Sequence, residues 1–417
     1  MLFLSERIFA SIALFFFSNG LFAFFLPGSL DSHGDQESPF LRLIFLLIYT
    51  LSFALLAYRW ERTVKSLLRA RFLLLTFMLV FLSLLWSSVP FISLRQVVAL
   101  TGTTFFGIYF GTRFNFNEQL KILGWTFGLS TVLSLLFVLI LPQYGVMNTP
   151  AIVGAWQGIY VHKNTLGSNM LLAVLTFYFL FQQSLKYRYV NGLLAILSSI
   201  LLLFSEAATS LISLLFVICL LKALEFLSLK SKVKLHLVVI SIAVSIVLSI
   251  VLIVNINSFL NASGKDVTLT GRTILWDSLG DYIKLKPMFG YGYGSFFSSA
   301  HQETQSLWEK FSWEPVHAHN GYIQILLFIG IAGFTIFLFG YLVYIIKTLH
   351  SYLLYRDRKL LWATSLLTYT ILFNFTEISF LTSNNLTWVL SISSLYSIRL
   401  AKKTRLYVYK NNPIYLH

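Results

Sequence analysis

Runs of about 20 apolar residues recur along this chain of 417 residues, and each is long enough to cross a bilayer as a helix. Barrel strands alternate apolar with polar residues. These runs do not alternate, so the expected fold is all-α and polytopic. Twelve spans are read, at roughly 8–27, 40–58, 72–87, 93–111, 122–141, 165–182, 189–205, 207–227, 237–257, 320–346, 360–378 and 380–398. With 57% hydrophobic and 11% charged residues, an ordinary soluble domain, about a quarter charged, is excluded. The first run follows Glu6 and Arg7 in the manner of a signal peptide. No small-residue cleavage site comes after it, so it is read as a retained helix. Residues 1–417 are taken as a single integral membrane domain.

The net charge of +15 would suit a nucleic-acid partner, but its distribution argues against one. With the N-terminus inside, the inner segments hold 22 of the 31 Lys and Arg residues. Arg59, Arg62, Lys65, Arg69 and Arg71 share one loop, Lys230, Lys232 and Lys234 another, and Arg356, Arg358 and Lys359 a third. This positive-inside bias places both termini in the cytoplasm and makes anionic membrane lipids the natural partner of the charge. Cys219 is the single cysteine, so no disulfide can form within the chain.

One interval breaks the apolar pattern. The loop 258–319, between the ninth and tenth spans, is polar and falls on the outer side. It holds TGRTILWD (270–277), GYGYG (290–294) and, at its end, VHAHN (316–320). Leu275, Trp276, Leu279, Tyr282 and Ile283 recur at helical spacing, with Asp277 and Asp281 opposite, so a helix is expected from Ile274 to Lys286. Pro287 ends it. Asn320 is placed to cap the tenth span.

Arg272 stands at the start of that helix, where free backbone N–H groups and a guanidinium together match a diphosphate. As a plain loop residue it would pair with Asp277 or Glu314. His319 lies at the membrane boundary with His317 two residues before it. There it can serve as a general base or merely solvate the helix end. A zinc site from the two histidines would need further ligands, for which His162 and His301 are the only guesses. On the same outer side, His162, Lys163 and Asn164 form a second cluster, in which Lys163 binds phosphate as a point charge or snorkels at a span's start. Glu206 and Glu377, at the outer ends of spans seven and eleven, are candidates to pair with Arg272 or Lys163 or to bind an acceptor sugar. Arg95, in WSSVPFISLRQ (86–96), completes the candidates. Trp156, Tyr160, Trp276, Tyr291, Tyr293 and Trp313 supply aromatic faces. A transporter would place charges at mid-membrane and show internal symmetry; here the polar residues collect on one outer face.

The series GRTILW, KPMFGYGYGSF and HAHNGYIQ resembles the O-antigen ligase and polysaccharide polymerase superfamily, and WSSVPFISLRQ and HKNTLG resemble its upstream motifs. The resemblance implies a GT-C-like membrane glycosyltransferase that uses neither cofactor nor metal. The donor it implies is a glycan on undecaprenyl diphosphate. The acceptor is lipid A–core in ligases and another lipid-linked repeat in polymerases. By motif match, Arg272 would hold the diphosphate and His319 would take the acceptor hydroxyl's proton or orient it; Lys163, outside the family pattern, is expected to add the second charge on the diphosphate. His162, Asn164, Glu206, His317, Asn320 and Arg95 would line the substrate site. Ligases carry a second arginine near spans seven and eight, where this chain reads FSEAATSL (204–211). HKNTLG is more similar to exopolysaccharide polymerases of succinoglycan-type systems. The expectation therefore leans to a polymerase of the inner membrane, with ligase as the alternative.

Overall fold

The computed structural model describes residues 2–21, 38–68, 70–149, 152–183, 185–228, 270–311 and 313–397. Its first helices are α1 (Leu2–Phe17), α2 (Pro39–Tyr58), α3 (Trp60–Leu67), α4 (Arg71–Leu82), α5 (Pro90–Arg113) and α6 (Phe116–Ile140). A small antiparallel hairpin of β1 (Val146–Thr149) and β2 (Ile152–Trp156) follows, pairing Val146 with Trp156. Then come α7 (Lys163–Gln183), α8 (Arg188–Phe204), α9 (Ala208–Ser228), α10 (Thr270–Leu285), α11 (Gln302–Trp308), α12 (Gly321–Tyr355) and α13 (Arg358–Phe373). A final helix, α14, covers 386–397. Among the described residues, six helices (α2, α5, α6, α7, α9 and α12) have the length and apolar character to cross a membrane, and α4 and α8 belong to shorter apolar helices. The all-α polytopic class holds, with the hairpin as its one β element among these residues. The expected ninth span (237–257), the basic segments at 230–234 and 399–410, and the loop's first part (258–269) lie outside the described residues.

Helices α7 and α8 pack along each other, α2 packs on α5, and α12 lies against α4 and α13. Phe17, Phe106, Phe110, Phe127, Phe177 and Trp388 are fully buried between helices. Leu43, Leu46, Leu47 and Phe53 on α2 and Leu129, Val132 and Leu136 on α6 stay exposed, as side chains facing lipid do.

Polar residues concentrate at the two ends of α1. At its start, buried Glu6 accepts hydrogen bonds from Arg59 Nη2 (2.7 Å), Arg113 Nε (2.6 Å) and Tyr109 Oη (3.0 Å). Ser18 and Asn19, just past its end, line a cavity with Asn164 and Glu377. The 16 residues of α1 rise about 24 Å between these groups. Arg59 and Arg113 thus lie at the opposite end of the helix from that cavity.

Two expected spans end differently from their sequence reading. The run 360–378 stops at Phe373, and the next helix starts only at 386. Asn374 is the cause. Its Oδ1 accepts the N–H groups of Ser379 and Phe380, both at 2.9 Å, and its Nδ2 donates to Thr370 O at 2.7 Å. The side chain therefore satisfies backbone groups that the helix end leaves open. The first span, read as 8–27, is helical over Leu2–Phe17.

Helix α12 is broken at Gly330 (φ 64°, ψ −170°), a conformation that glycine alone adopts at low cost. The segment 287–292 fills the break. Tyr291 N–H bonds Leu327 O (2.8 Å), Gly292 N–H bonds Phe328 O (3.1 Å), Ile331 N–H bonds Pro287 O (2.8 Å) and Ala332 N–H bonds Met288 O (3.1 Å). A Cβ on Gly330 would strike the backbone of Met288, and one on Gly290 the backbone of Leu327. The upstream motif meets the same segment through Trp86, whose Nε1 donates to Phe289 O (3.2 Å), and just before the motif Ser83 Oγ accepts the N–H of the next residue along, Tyr293 (2.9 Å).

Gly330→Ala is expected to destabilise the protein by about 1–3 kcal/mol from backbone strain alone, and further from the clash. Gly280, inside α10, has nothing within 4 Å of a Cβ, so Gly280→Ala should stabilise by about 0.5–1 kcal/mol. Thermal unfolding in detergent micelles checks the pair; equal midpoints for the two variants would refute the account of the break.

Candidate functional site

The periodicity placed α10 well: Leu275, Leu279 and Tyr282 are buried while Asp277 and Asp281 are exposed. The helix begins earlier than expected, at Thr270, so Arg272 lies in its first turn. Trp276 Nε1 donates to Ala318 O at 2.8 Å, which fastens α10 to the VHAHN segment. Asn320 caps α12 as expected, with Oδ1 accepting from Tyr322 N–H (3.0 Å) and Ile323 N–H (3.1 Å). Its Nδ2 donates to Phe375 O (3.1 Å), so both ends of this side chain serve the fold.

Arg272 pairs with neither Asp277 nor Glu314 as a cation of a plain loop would. Its Nη2 meets Glu377 Oε1 at 3.1 Å, and Nη1 donates to Thr376 O. Each side chain of the ion pair is only 14% exposed. Asn164 Nδ2 donates to the same Glu377 oxygen at 2.7 Å. The break between α13 and α14 thus supplies the carboxylate, and the start of α7 supplies a second donor. Burial pushes the Glu377 carboxyl up, against the pull of Arg272 and Asn164. Glu377 was a weak candidate from its position alone, and Thr376 carried no signal at all. Their importance comes from Asn374, which ends the helix just before them.

His162 caps α7, its Nδ1 accepting from Asn164 N–H at 3.1 Å. Lys163 lies within electrostatic reach of both Arg272 and Glu206. Glu206 sits exposed in the break between α8 and α9 with a left-handed backbone (φ 51°). The rings of His317 and His319 lie 3.9 Å apart, with Trp313 6.1 Å from His319. His319 is held at φ 48°, which costs a non-glycine residue free energy and turns it out of the chain's direction. Its Nδ1 is buried without a hydrogen-bond partner. Arg272, Lys163, His162, His317 and His319 therefore form one cationic and imidazole cluster. Arg95 lies exposed on α5, and its neighbour Gln96 lines a separate cleft. Among the described residues no group of three His, Cys, Asp or Glu is placed to hold a metal ion. His301 is instead buried beside Glu303.

The imidazoles are neutral. Burial lowers His162 to about 4, helped by the charges of Lys163 and Arg272. Burial and Arg272 lower His317 to about 4. Burial, His317 and Arg272 push His319 well below the ordinary histidine range. The sign of the linkage follows. Below the unfolded value of about 6.5, the unfolded chain takes up protons that the folded chain refuses. Stability is then fully present above pH 6.5 and falls as the pH drops towards 4. Unfolding midpoints measured between pH 7.5 and 5 should decline, and His317→Asn and His162→Asn should each flatten that decline. An unchanged slope in both variants would show that these imidazoles are not held neutral.

Residues 193–338 match the model of the O-antigen ligase family. Over 192 residues the chain is 29% identical to the exopolysaccharide production protein ExoQ of Rhizobium meliloti (strain 1021). That match covers 43% of this chain and 43% of the relative, less than half the length of either. The family segment runs from α8 through α10 and the loop to the break in α12, and so contains Arg272, His317 and His319. The apolar helices mark a membrane protein, about a third of which is similar to the O-antigen ligase family.

Proposed function

We propose that this protein transfers a glycan from undecaprenyl diphosphate to a sugar hydroxyl at the periplasmic face of the bacterial inner membrane, in surface polysaccharide assembly. The observation that carries this reading is the convergence of Arg272, Lys163 and His319 at the end of α1 remote from Glu6 and its arginines. The charge sorting of the loops supports reading that end as the periplasmic one.

In this mechanism the acceptor oxygen attacks the anomeric carbon as the bond from that carbon to the diphosphate oxygen breaks. Undecaprenyl diphosphate departs and the configuration inverts. Arg272 and Lys163 stabilise the charge that grows on the leaving group, in a site partly shielded from water. His319 receives the hydroxyl proton. It rests neutral, and the bound diphosphate's negative charges raise its proton affinity when it is needed. Glu377 holds the place of the diphosphate on Arg272 in the absence of substrate. No metal ion enters these steps, since two cations of the chain already face the leaving group.

The acceptor we favour is a second lipid-linked repeat, as in a polymerase. FSEAATSL carries no arginine, and the ExoQ relative is named for exopolysaccharide production. The family match, described as O-antigen ligase, favours lipid A–core as the second reading.

Complementation of a deletion strain tests both. Arg272→Ala should cut transfer by about 10²–10³-fold and His319→Ala by about 10²–10⁴-fold, at normal protein level. Arg272→Lys should also fail, because an ammonium cannot reproduce the two-pronged donor. Wild-type polymer from Arg272→Ala or His319→Ala would remove that residue from the mechanism. A glycan ladder collapsed to one repeat means polymerase. Bare lipid A–core with accumulated lipid-linked polymer means ligase.

A further inference from the structure

Both donors to Glu377, Arg272 Nη2 (3.1 Å) and Asn164 Nδ2 (2.7 Å), meet the same oxygen, Oε1. Glu377 also lines a cavity of about 120 Å³ between the end of α1, the start of α7 and the break between α13 and α14. That is room for about four waters at about 30 Å³ each. It is too small for a whole ligand but fits one edge of a sugar ring with its hydroxyls. Ser18, Asn19, Thr165, Asn169 and Asn385 line it beside Glu377. Part of this lining serves the fold: Asn169 Nδ2 donates to Ser18 O (3.0 Å), and Asn385 Oδ1 accepts Trp388 N–H (3.0 Å). The Asn19 amide, the Thr165 hydroxyl, Asn385 Nδ2 and Glu377 Oε2 have no hydrogen bond among the described residues. They offer both donors and acceptors, which a sugar needs because each hydroxyl is both.

Covalent geometry sets what reaches this cavity. In a glycan diphosphate the first ring is one oxygen away from the phosphate. With the diphosphate on Arg272 in place of Glu377, that ring lies beside the cavity. The released carboxylate stays in the cavity wall, and a buried carboxylate without its cation needs new donors. Sugar hydroxyls supply them as charge-assisted hydrogen bonds. We infer that this cavity binds the first sugar of the donor, and that Glu377 changes partner there, from Arg272 to the sugar's hydroxyls. Arg272 and Lys163 hold the phosphates but leave the sugar's angle open; Asn19, Thr165 and Asn385 set it. After transfer the lipid diphosphate carries no sugar. Glu377 then has no hydroxyl to bind and returns to Arg272, which expels the product. This inference rests on the glycosyl-transfer reading, and binding of two separate lipids tests it.

The probes are the lipid-linked glycan isolated from a deletion strain and undecaprenyl diphosphate, each titrated onto the full chain and read by native mass spectrometry. Wild type should bind the glycan-bearing lipid at least about tenfold more tightly than the bare one. Three variants remove cavity groups and keep the backbone. Asn19 is held at φ 63°, which glycine adopts freely, so Asn19→Gly removes only the amide. Asn385→Ser retains an oxygen for the cap of α14, and Thr165→Val retains the side chain's shape. Each should weaken the glycan-bearing lipid several-fold and leave undecaprenyl diphosphate unchanged. Glu377→Gln should bind undecaprenyl diphosphate more tightly than wild type does, because no carboxylate competes for Arg272, and should lose the preference for the glycan. Equal affinity of wild type for the two lipids would overturn the inference. So would undiminished glycan binding in all three cavity variants, or an equal loss for both lipids. These outcomes leave the transfer reading standing. Undiminished binding of undecaprenyl diphosphate to Arg272→Ala would instead sink that reading, and the inference with it.

Discussion

A backbone that leaves helical geometry at membrane depth must find its hydrogen-bond partners inside the protein, because lipid offers none. Helix α12 leaves it at Gly330, and the segment 287–292 supplies those partners. Much of the face that carries the candidate site follows from that one exchange. The loop returning from α10 is anchored at the break, so α10 lies across the start of α12 and Trp276 reaches Ala318. Trp86 and Ser83 bind the same returning segment, which brings the start of α5 alongside. The cleft between Gln96 and Gln324 is the space these fixed elements enclose.

The second constraint is electrostatic. A guanidinium that is largely buried needs a counter-charge, and Glu377 provides it at 3.1 Å. The pair is half of what a diphosphate site requires: a cation already held in place and an anion position already formed. Exchange of one anion for another needs little reorganisation, which is the condition for effective electrostatic catalysis. Neutral imidazoles around the pair add no competing positive charge at rest. Their protonation would raise the cost of burying Arg272 beside them, so the cluster's stability and the histidines' protonation states depend on each other.

Features set by local pattern were legible in the amino-acid sequence. The apolar face of α10 and the Asn320 cap depend on residues within a turn or two of each other, so spacing and side-chain chemistry identify them. The features that were not legible depend on distant partners. Gly330 looks like any glycine in an apolar helix until residues 287–292 are placed against it. Asn374 sits in an apolar run, and nothing nearby announces that its side chain will cap the backbone at Ser379 and Phe380. The Arg272–Glu377 pair spans 105 positions, and charge signs on one face allowed several pairings. Asp277 and Glu314 were nearer in sequence, but helical geometry turns Asp277 to the exposed side of α10.

The missing second arginine acquires a physical meaning in this arrangement. Between α8 and α9 the chain offers Glu206, and across from it Lys163 at the start of α7, so the second cation comes from a different helix. A lysine there binds phosphate as a point charge without fixing its orientation. In the proposed transfer, orientation of the diphosphate is left to Arg272, whose two prongs are already aligned by Glu377 and Thr376 O. A donor held by one oriented contact and one loose one can present its sugar at more than one angle.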